Sequence, residues 1–160
     1  MRERKVVILY HSLTGNTEAA AELVAEGVKA DTDLEVESHN LNEERVGPEI
    51  LKTCAGVAFG SPDYFSYPAG TLKTFIDDWL IAKRGGNEEI EGVPVAMFLT
   101  HGGGGAGKKP FGELFRRVGR PVEEVLTIEN KPEGEEAEKC RKLGRELGEE
   151  ATDYLAELEA

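Results

Sequence analysis

The chain has 160 residues, 39% of them hydrophobic and 31% charged, which fits one globular domain spanning 1–160 with its own core and no need of a covalent staple. A formal net charge of −12 would repel a phosphate polyanion, which argues against nucleic acid as a partner; it suits a basic protein partner or simple solubility. No apolar run approaches membrane-spanning length, and Val6-Val7-Ile8-Leu9 is too short for the core of a signal peptide. The two cysteines, Cys54 and Cys140, fall in different elements with no CxxC, so they read as reduced thiols of a cytoplasmic protein.

Strand and helix signals alternate along the chain. Lys5–Tyr10 is a short β-branched run, the pattern of a strand buried on both faces. Asn16–Lys29 has helical spacing through Ala20, Leu23, Val24 and Val28. Leu34–Ser38 alternates as a second strand, with His39 after it at the surface. Pro48–Thr53 reads as a short helix with Pro in its first turn. Ala55–Phe59 is a third strand. Pro68–Ala82 is amphipathic, with Leu72, Phe75, Ile76, Trp79 and Leu80 on one stripe, and Lys83-Arg84-Gly85 ends it. Val93–Leu99 is a fourth strand, Pro110–Val118 a helix, Val122–Ile128 a fifth strand, and Glu135–Leu158 a long acidic terminal helix. Five strand–helix units imply an α/β fold, a parallel sheet with right-handed crossovers and helices on both faces. Ligands of such sheets bind beyond the carboxyl ends of the strands, so the loops after strands one, three and four matter most.

The first of these, His11-Ser12-Leu13-Thr14-Gly15-Asn16-Thr17, carries three hydroxyls, an amide and a glycine at a helix start, with no Lys or Arg. Backbone N–H groups and neutral side-chain donors there would hold a single phosphate. The Gly-Lys-Ser/Thr ending of a P-loop is absent. The plain alternative is a helix N-cap, which needs one such residue rather than four.

The second, Gly60-Ser61-Pro62-Asp63-Tyr64-Phe65-Ser66-Tyr67-Pro68, has three aromatics in four residues. They suit stacking on a planar ligand, or one caps the core while the others support the turn. The third, Thr100-His101-Gly102-Gly103-Gly104-Gly105-Ala106-Gly107, has five glycines in six residues; it is a close backbone approach to a ligand or merely a flexible loop. No three residues stand at metal-ligand spacing, and Ser12 lacks the Gly-x-Ser-x-Gly elbow of a hydrolase. Arg116, Arg117 and Arg120 form a small basic cluster, by default a solvated helix face, with a nicotinamide nucleotide phosphate as the lesser reading.

Ile8 to Thr17, continuing to Ala21 and Val24, resembles the phosphate-loop signature of the flavodoxin family at every constrained position. Gly60–Phe65, running into Leu72–Asp77, is similar to the flavin loop of flavodoxin-like reductases and of some archaeal flavodoxins. The resemblance implies a three-layer sandwich with a five-stranded parallel sheet in the order 2-1-3-4-5, and flavin mononucleotide (FMN) as cofactor. It also implies that Ser12, Thr14, Asn16, Thr17 and the N–H groups of Leu13 and Gly15 bind the phosphate, His11 belonging to that loop or supporting it. Pro62, Asp63, Tyr64 and Phe65 would face the isoalloxazine, the Asp63 charge lying close to the ring. Thr100, His101, Gly102, Gly103 and Gly104 would contact the flavin through backbone donors. The third loop departs from typical flavodoxins in having no aromatic, which would leave one flavin face open or covered by His101, another loop or a second subunit. The chain also lacks the strand-five insertion of long-chain flavodoxins. An electron carrier serving redox partner proteins is therefore the preferred function. The alternative is an NAD(P)H-dependent quinone or FMN reductase, with NAD(P)H or a quinone as partner, and a third reading is a domain that has lost its cofactor. Neither a catalytic residue nor a metal ligand stands out, and the oligomeric state is not legible.

Overall fold

The computed structural model describes residues 2–160. Their elements run β1 (Lys5–Tyr10), α1 (Asn16–Ala30), β2 (Glu35–Asn40), a 3-10 turn at Pro48–Lys52, β3 (Gly56–Pro62), α2 (Gly70–Arg84), β4 (Pro94–His101), α3 (Lys108–Phe115) with a 3-10 turn at Arg116–Val118, β5 (Arg120–Pro121), β6 (Leu126–Glu129) and α4 (Gly134–Glu159). Every strand pairing is parallel, in the order β2-β1-β3-β4-β5, with β6 also on β4. The order expected from the resemblance is the order observed.

Side-chain alternation in β1 shows how the layers arise. Val7 and Leu9 point into a core shared with Leu72, Phe75 and Trp79 of α2 and Phe111 and Phe115 of α3. Val6, Ile8 and Tyr10 point the other way, toward Ala20, Val24 and Val28 of α1 and Leu143, Leu147 and Ala151 of α4. A strand buried on both faces must be apolar at every position, and each large side chain so buried contributes about 1.5–3 kcal/mol. The stripe on α2 is narrower than its sequence implies. Leu80 is exposed, because Leu72, Phe75, Ile76 and Trp79 already fill the 100° arc against the sheet.

Helices α1 and α4 meet backbone to backbone. A Cβ on Gly144 would lie 2.0 Å from the Val24 carbonyl oxygen, and one on Gly27 2.0 Å from that of Arg141. This contact fixes α1 and hence the loop at its N-terminus.

Strand five differs most from its sequence reading. Pro121 stands opposite Val95 and Leu126 opposite Phe98; the Val122 N–H still donates to the Val95 carbonyl at 2.9 Å, and residues 123–125 leave the ladder because only 96–97 remain for them to cover. Pro121 lacks an N–H, and Glu123 and Glu124 favour solvent, so the run breaks into β5 and β6 on the sheet edge. Strand two begins one residue later than expected and runs on to Asn40, whose partner is Tyr10. The third helix starts two residues earlier than Pro110 and gives way to 3-10 geometry at Arg116.

Candidate functional site

Strands β1, β3 and β4 all end at one edge of the sheet, and their following loops are laced together there. The His11 N–H donates to the Gly60 carbonyl at 3.0 Å, and the Asp63 N–H to the Thr100 carbonyl at 2.8 Å. All three loops singled out in the sequence thus converge.

The first loop turns into α1 at Gly15, whose φ of 105° is left-handed and favours glycine. No side chain caps the helix in the ordinary way. Ser12 Oγ instead accepts from the Gly15 N–H at 3.2 Å and the Glu18 N–H at 3.3 Å, folding the loop on itself. The N–H groups of Leu13, Thr14, Asn16 and Thr17 find no acceptor among the described residues. Four unpaired donors at the positive end of a helix, in a loop without a cation, make a site for one anionic group. Thr14 and Leu13 are exposed, Gly15 and Asn16 half-buried, and Ser12 and Thr17 buried.

Asn40 is a site residue that sequence reasoning missed. Its Oδ1 accepts the Ser12 N–H and its Nδ2 donates to the Ser12 carbonyl, both at 3.0 Å, so the side chain acts as a strand partner for the loop. A buried asparagine ending a strand is against β propensity, and that was the available signal. Next to it, His39 is less exposed than expected, held between Glu37 at 2.7 Å and Glu44 at 2.9 Å. Burial works against its charge, but the hydrogen bonds it donates to the two carboxylates prevail and its pKa is raised.

In the second loop Pro62 and Asp63 are half-buried, while Tyr64 and Phe65 are exposed, Phe65 completely. The Tyr64 N–H donates to the Tyr67 carbonyl at 2.8 Å, closing a tight turn with Phe65 at φ 56° and Ser66 at φ 62°. Both central residues are left-handed, as in a primed hairpin turn, yet neither is glycine. His11 props this loop from below. Its Nδ1 lies 2.8 Å from Thr71 Oγ1 and its ring meets Tyr64 edge-on, and burial lowers its pKa.

The third loop is anchored at both ends. Thr100 is buried, with Oγ1 2.7 Å from Thr17 Oγ1. At the far end the Gly107 N–H donates to Asp63 Oδ2 at 2.9 Å. Between them Gly102, Gly103 and Gly104 are exposed, with open space around each. His101 packs its ring against Gly105, and its Nδ1 is buried without a hydrogen-bond partner among the described residues.

The arginine cluster disperses. Arg117 bonds to the Glu113 carbonyl of its own helix, and Arg120 lies over Tyr154 and reaches Glu157. Arg116 borders a groove of about 640 Å³ that the break in strand five opens over Met97 and Val125. Lys108, Lys109 and Arg116 on its rim are matched by Glu113, Glu123 and Glu124, so the groove has no bias for an anion. Among the described residues no His, Cys, Asp and Glu cluster could hold a metal ion, and no helix is long and apolar enough to cross a membrane. Both cysteines are buried and free; burial pushes Cys54 up to about 11 and Cys140 up to about 12.

Comparison with known proteins shows the family and the fold. The flavodoxin family model matches residues 8–144. A flavodoxin of Aquifex aeolicus is 33% identical, over 91% of this chain and 85% of its own length. A solved flavodoxin structure from the domain Archaea superposes with a TM-score of 0.78 at 26% identity, covering 92% of this chain and 99% of its own. An NAD(P)H dehydrogenase (quinone) of Acidithiobacillus ferrooxidans is 27% identical over 62% of this chain and 60% of its own length.

Proposed function

The chain belongs to the flavodoxin family, and on that premise we propose that it is an electron carrier that binds FMN across the three loops and serves redox partner proteins. The observation that carries this reading is the N-terminus of α1, where four N–H groups without acceptors meet in a loop that has no cation. Such a site fits the one terminal phosphate of FMN and would leave the second phosphate of a dinucleotide without a counter-charge. Ser12, Leu13, Thr14, Gly15, Asn16 and Thr17 would hold the phosphate, Gly15 by turning the chain and not, as the resemblance implied, through its N–H, which is donated to Ser12 Oγ. Pro62 to Phe65 would face the isoalloxazine, and Thr100 to Gly104 would contact it through backbone groups.

When bound, FMN would supply the redox chemistry, the uptake and release of one or two electrons. The protein binds the phosphate, excludes water from part of the ring and presents one edge to a partner. His11 enters only by setting the position of Tyr64, since its ring is already engaged with Thr71 and Tyr64.

Equilibrium titration tests the reading. FMN is expected to bind far more tightly than riboflavin, and equal affinities would overturn it. Anaerobic reductive titration of the loaded protein is expected to pass through a one-electron stage with long-wavelength absorbance, and direct oxidation of NAD(P)H to be slow.

A reductase is the second reading, favoured by one observation. Gly102, Gly103 and Gly104 are exposed and carry no side chain to cover a flavin face, and a hydride donor or a quinone needs such an open face. Reduction in a single two-electron step with fast NADPH turnover on a quinone would establish it.

A further inference from the structure

Thr17 and Thr100 face each other across the junction of the first and third loops, at 2.7 Å between hydroxyl oxygens. They are 2% and 3% exposed, too deep for bulk solvent to satisfy them. Each hydroxyl has one proton. One of the two protons makes the mutual bond. The other has no acceptor among the described residues, since neither hydroxyl makes another hydrogen bond. The pair therefore holds one unused donor, and which threonine carries it is open until something nearby accepts it.

Position decides the direction. Thr17 lies in the first turn of α1, one residue beyond Asn16 and next to the unpaired N–H groups. Thr100 lies behind it on β4, registered against Pro62. An anion at the helix N-terminus meets Thr17 first. We propose that Thr100 is a positioning residue for the FMN phosphate: it donates its proton to Thr17 Oγ1, so that Thr17 turns its own proton to the phosphate. The inference rests on the FMN reading above and adds to it that Thr100 acts through Thr17 and not by touching the phosphate. Hydrogen bonds in series polarise one another, and a charged terminal acceptor strengthens both.

A double-mutant cycle in ligand affinity separates this relay from direct contact. FMN and riboflavin are titrated into the full chain carrying Thr17→Val, Thr100→Val, both together, and Thr100→Ser. Thr17→Val is expected to weaken FMN about tenfold or more, the size of a lost hydrogen bond to a charged group. Thr100→Val should weaken it about threefold to fivefold, and Thr100→Ser should restore it. In the Thr17→Val background, Thr100→Val should cost nothing further. Riboflavin affinity should hardly change in any of the four. Additive losses in the double variant would overturn the relay in favour of direct contact, and equal losses for FMN and riboflavin would show the pair to be structural only. Failure of the FMN reading itself is visible beforehand, as wild-type protein that does not prefer FMN to riboflavin, and would remove the relay with it. Urea unfolding of each apo variant identifies a fold that has not survived.

Discussion

Asp63 Oδ2 accepts the backbone N–H of Gly107 at 2.9 Å, so a carboxylate of the second loop closes the third loop at the start of α3. The resemblance implied that this charge lies close to the ring; the structure gives it a partner at a helix N-terminus, where the dipole favours it. Asp63→Ala is expected to destabilise the protein by roughly 0.5–2 kcal/mol, as for loss of a helix cap, with most of it recovered in Asp63→Asn, whose amide oxygen can still accept. Urea unfolding checks the size, and hydrogen exchange at Gly107 checks the place. An alanine variant with wild-type stability and unchanged exchange would mean that the contact does not anchor the loop.

Ser66 sits at φ 62° at the centre of the second-loop turn, beside Phe65 at φ 56°. Left-handed backbone costs a non-glycine residue roughly 1–2 kcal/mol, and part of any relief is offset by the greater freedom of glycine in the unfolded chain. Ser66→Gly is therefore expected to raise apo stability by about 1 kcal/mol or less. Thermal unfolding of apo protein reads this directly. A fall in Tm would show that the serine side chain supports the turn in a way its backbone angle does not reveal.

Asn40 holds both backbone groups of Ser12. In Asn40→Ala the buried Ser12 N–H loses its partner, a cost of about 1–3 kcal/mol, while the Ser12 carbonyl keeps only the longer bond from Asn42 Nδ2 at 3.4 Å. Both stability and FMN affinity should fall, and FMN affinity by more than riboflavin affinity, because the phosphate loop is the part released. Asn40→Asp keeps an acceptor for the N–H and loses the donor to the carbonyl, so it should fall between alanine and wild type in stability. Calorimetric titration with the two ligands gives the comparison.

His39 gives the fold a pH dependence of known sign. Its folded pKa is raised by Glu37 and Glu44 against the effect of burial, so its stabilisation is fully present below the unfolded value of about 6.5 and lost as pH rises through the folded value. Glu37 is held below the ordinary carboxylate range by hydrogen bonds from His39 and then Lys5, so its own contribution is lost only in acid. His39→Gln should be less stable than wild type near about pH 6, with the gap narrowing as pH rises above the folded pKa. Urea midpoints across that range test it, and a gap independent of pH would mean that the ring contributes packing alone.

The succession of strands and helices was legible because each buried strand is apolar throughout and each helix repeats its apolar residues at 3.6-residue spacing, and both signals are local. The loop proposed to hold a phosphate could be picked out for the same reason: Ser12 to Thr17 are contiguous, and a helix start needs only neighbouring residues to present its N–H groups. Tertiary contacts decided the rest. Asn40 reaches Ser12 from another strand, Thr100 meets Thr17 from across the sheet, and Asp63 finds Gly107 on a different loop. None of these pairs leaves a pattern along the chain, because each depends on which strand ends lie side by side. The break in strand five belongs with them. Val122–Ile128 reads as one continuous run, and only its register against β4, set by Pro121 opposite Val95 and Leu126 opposite Phe98, forces residues 123–125 out of the sheet.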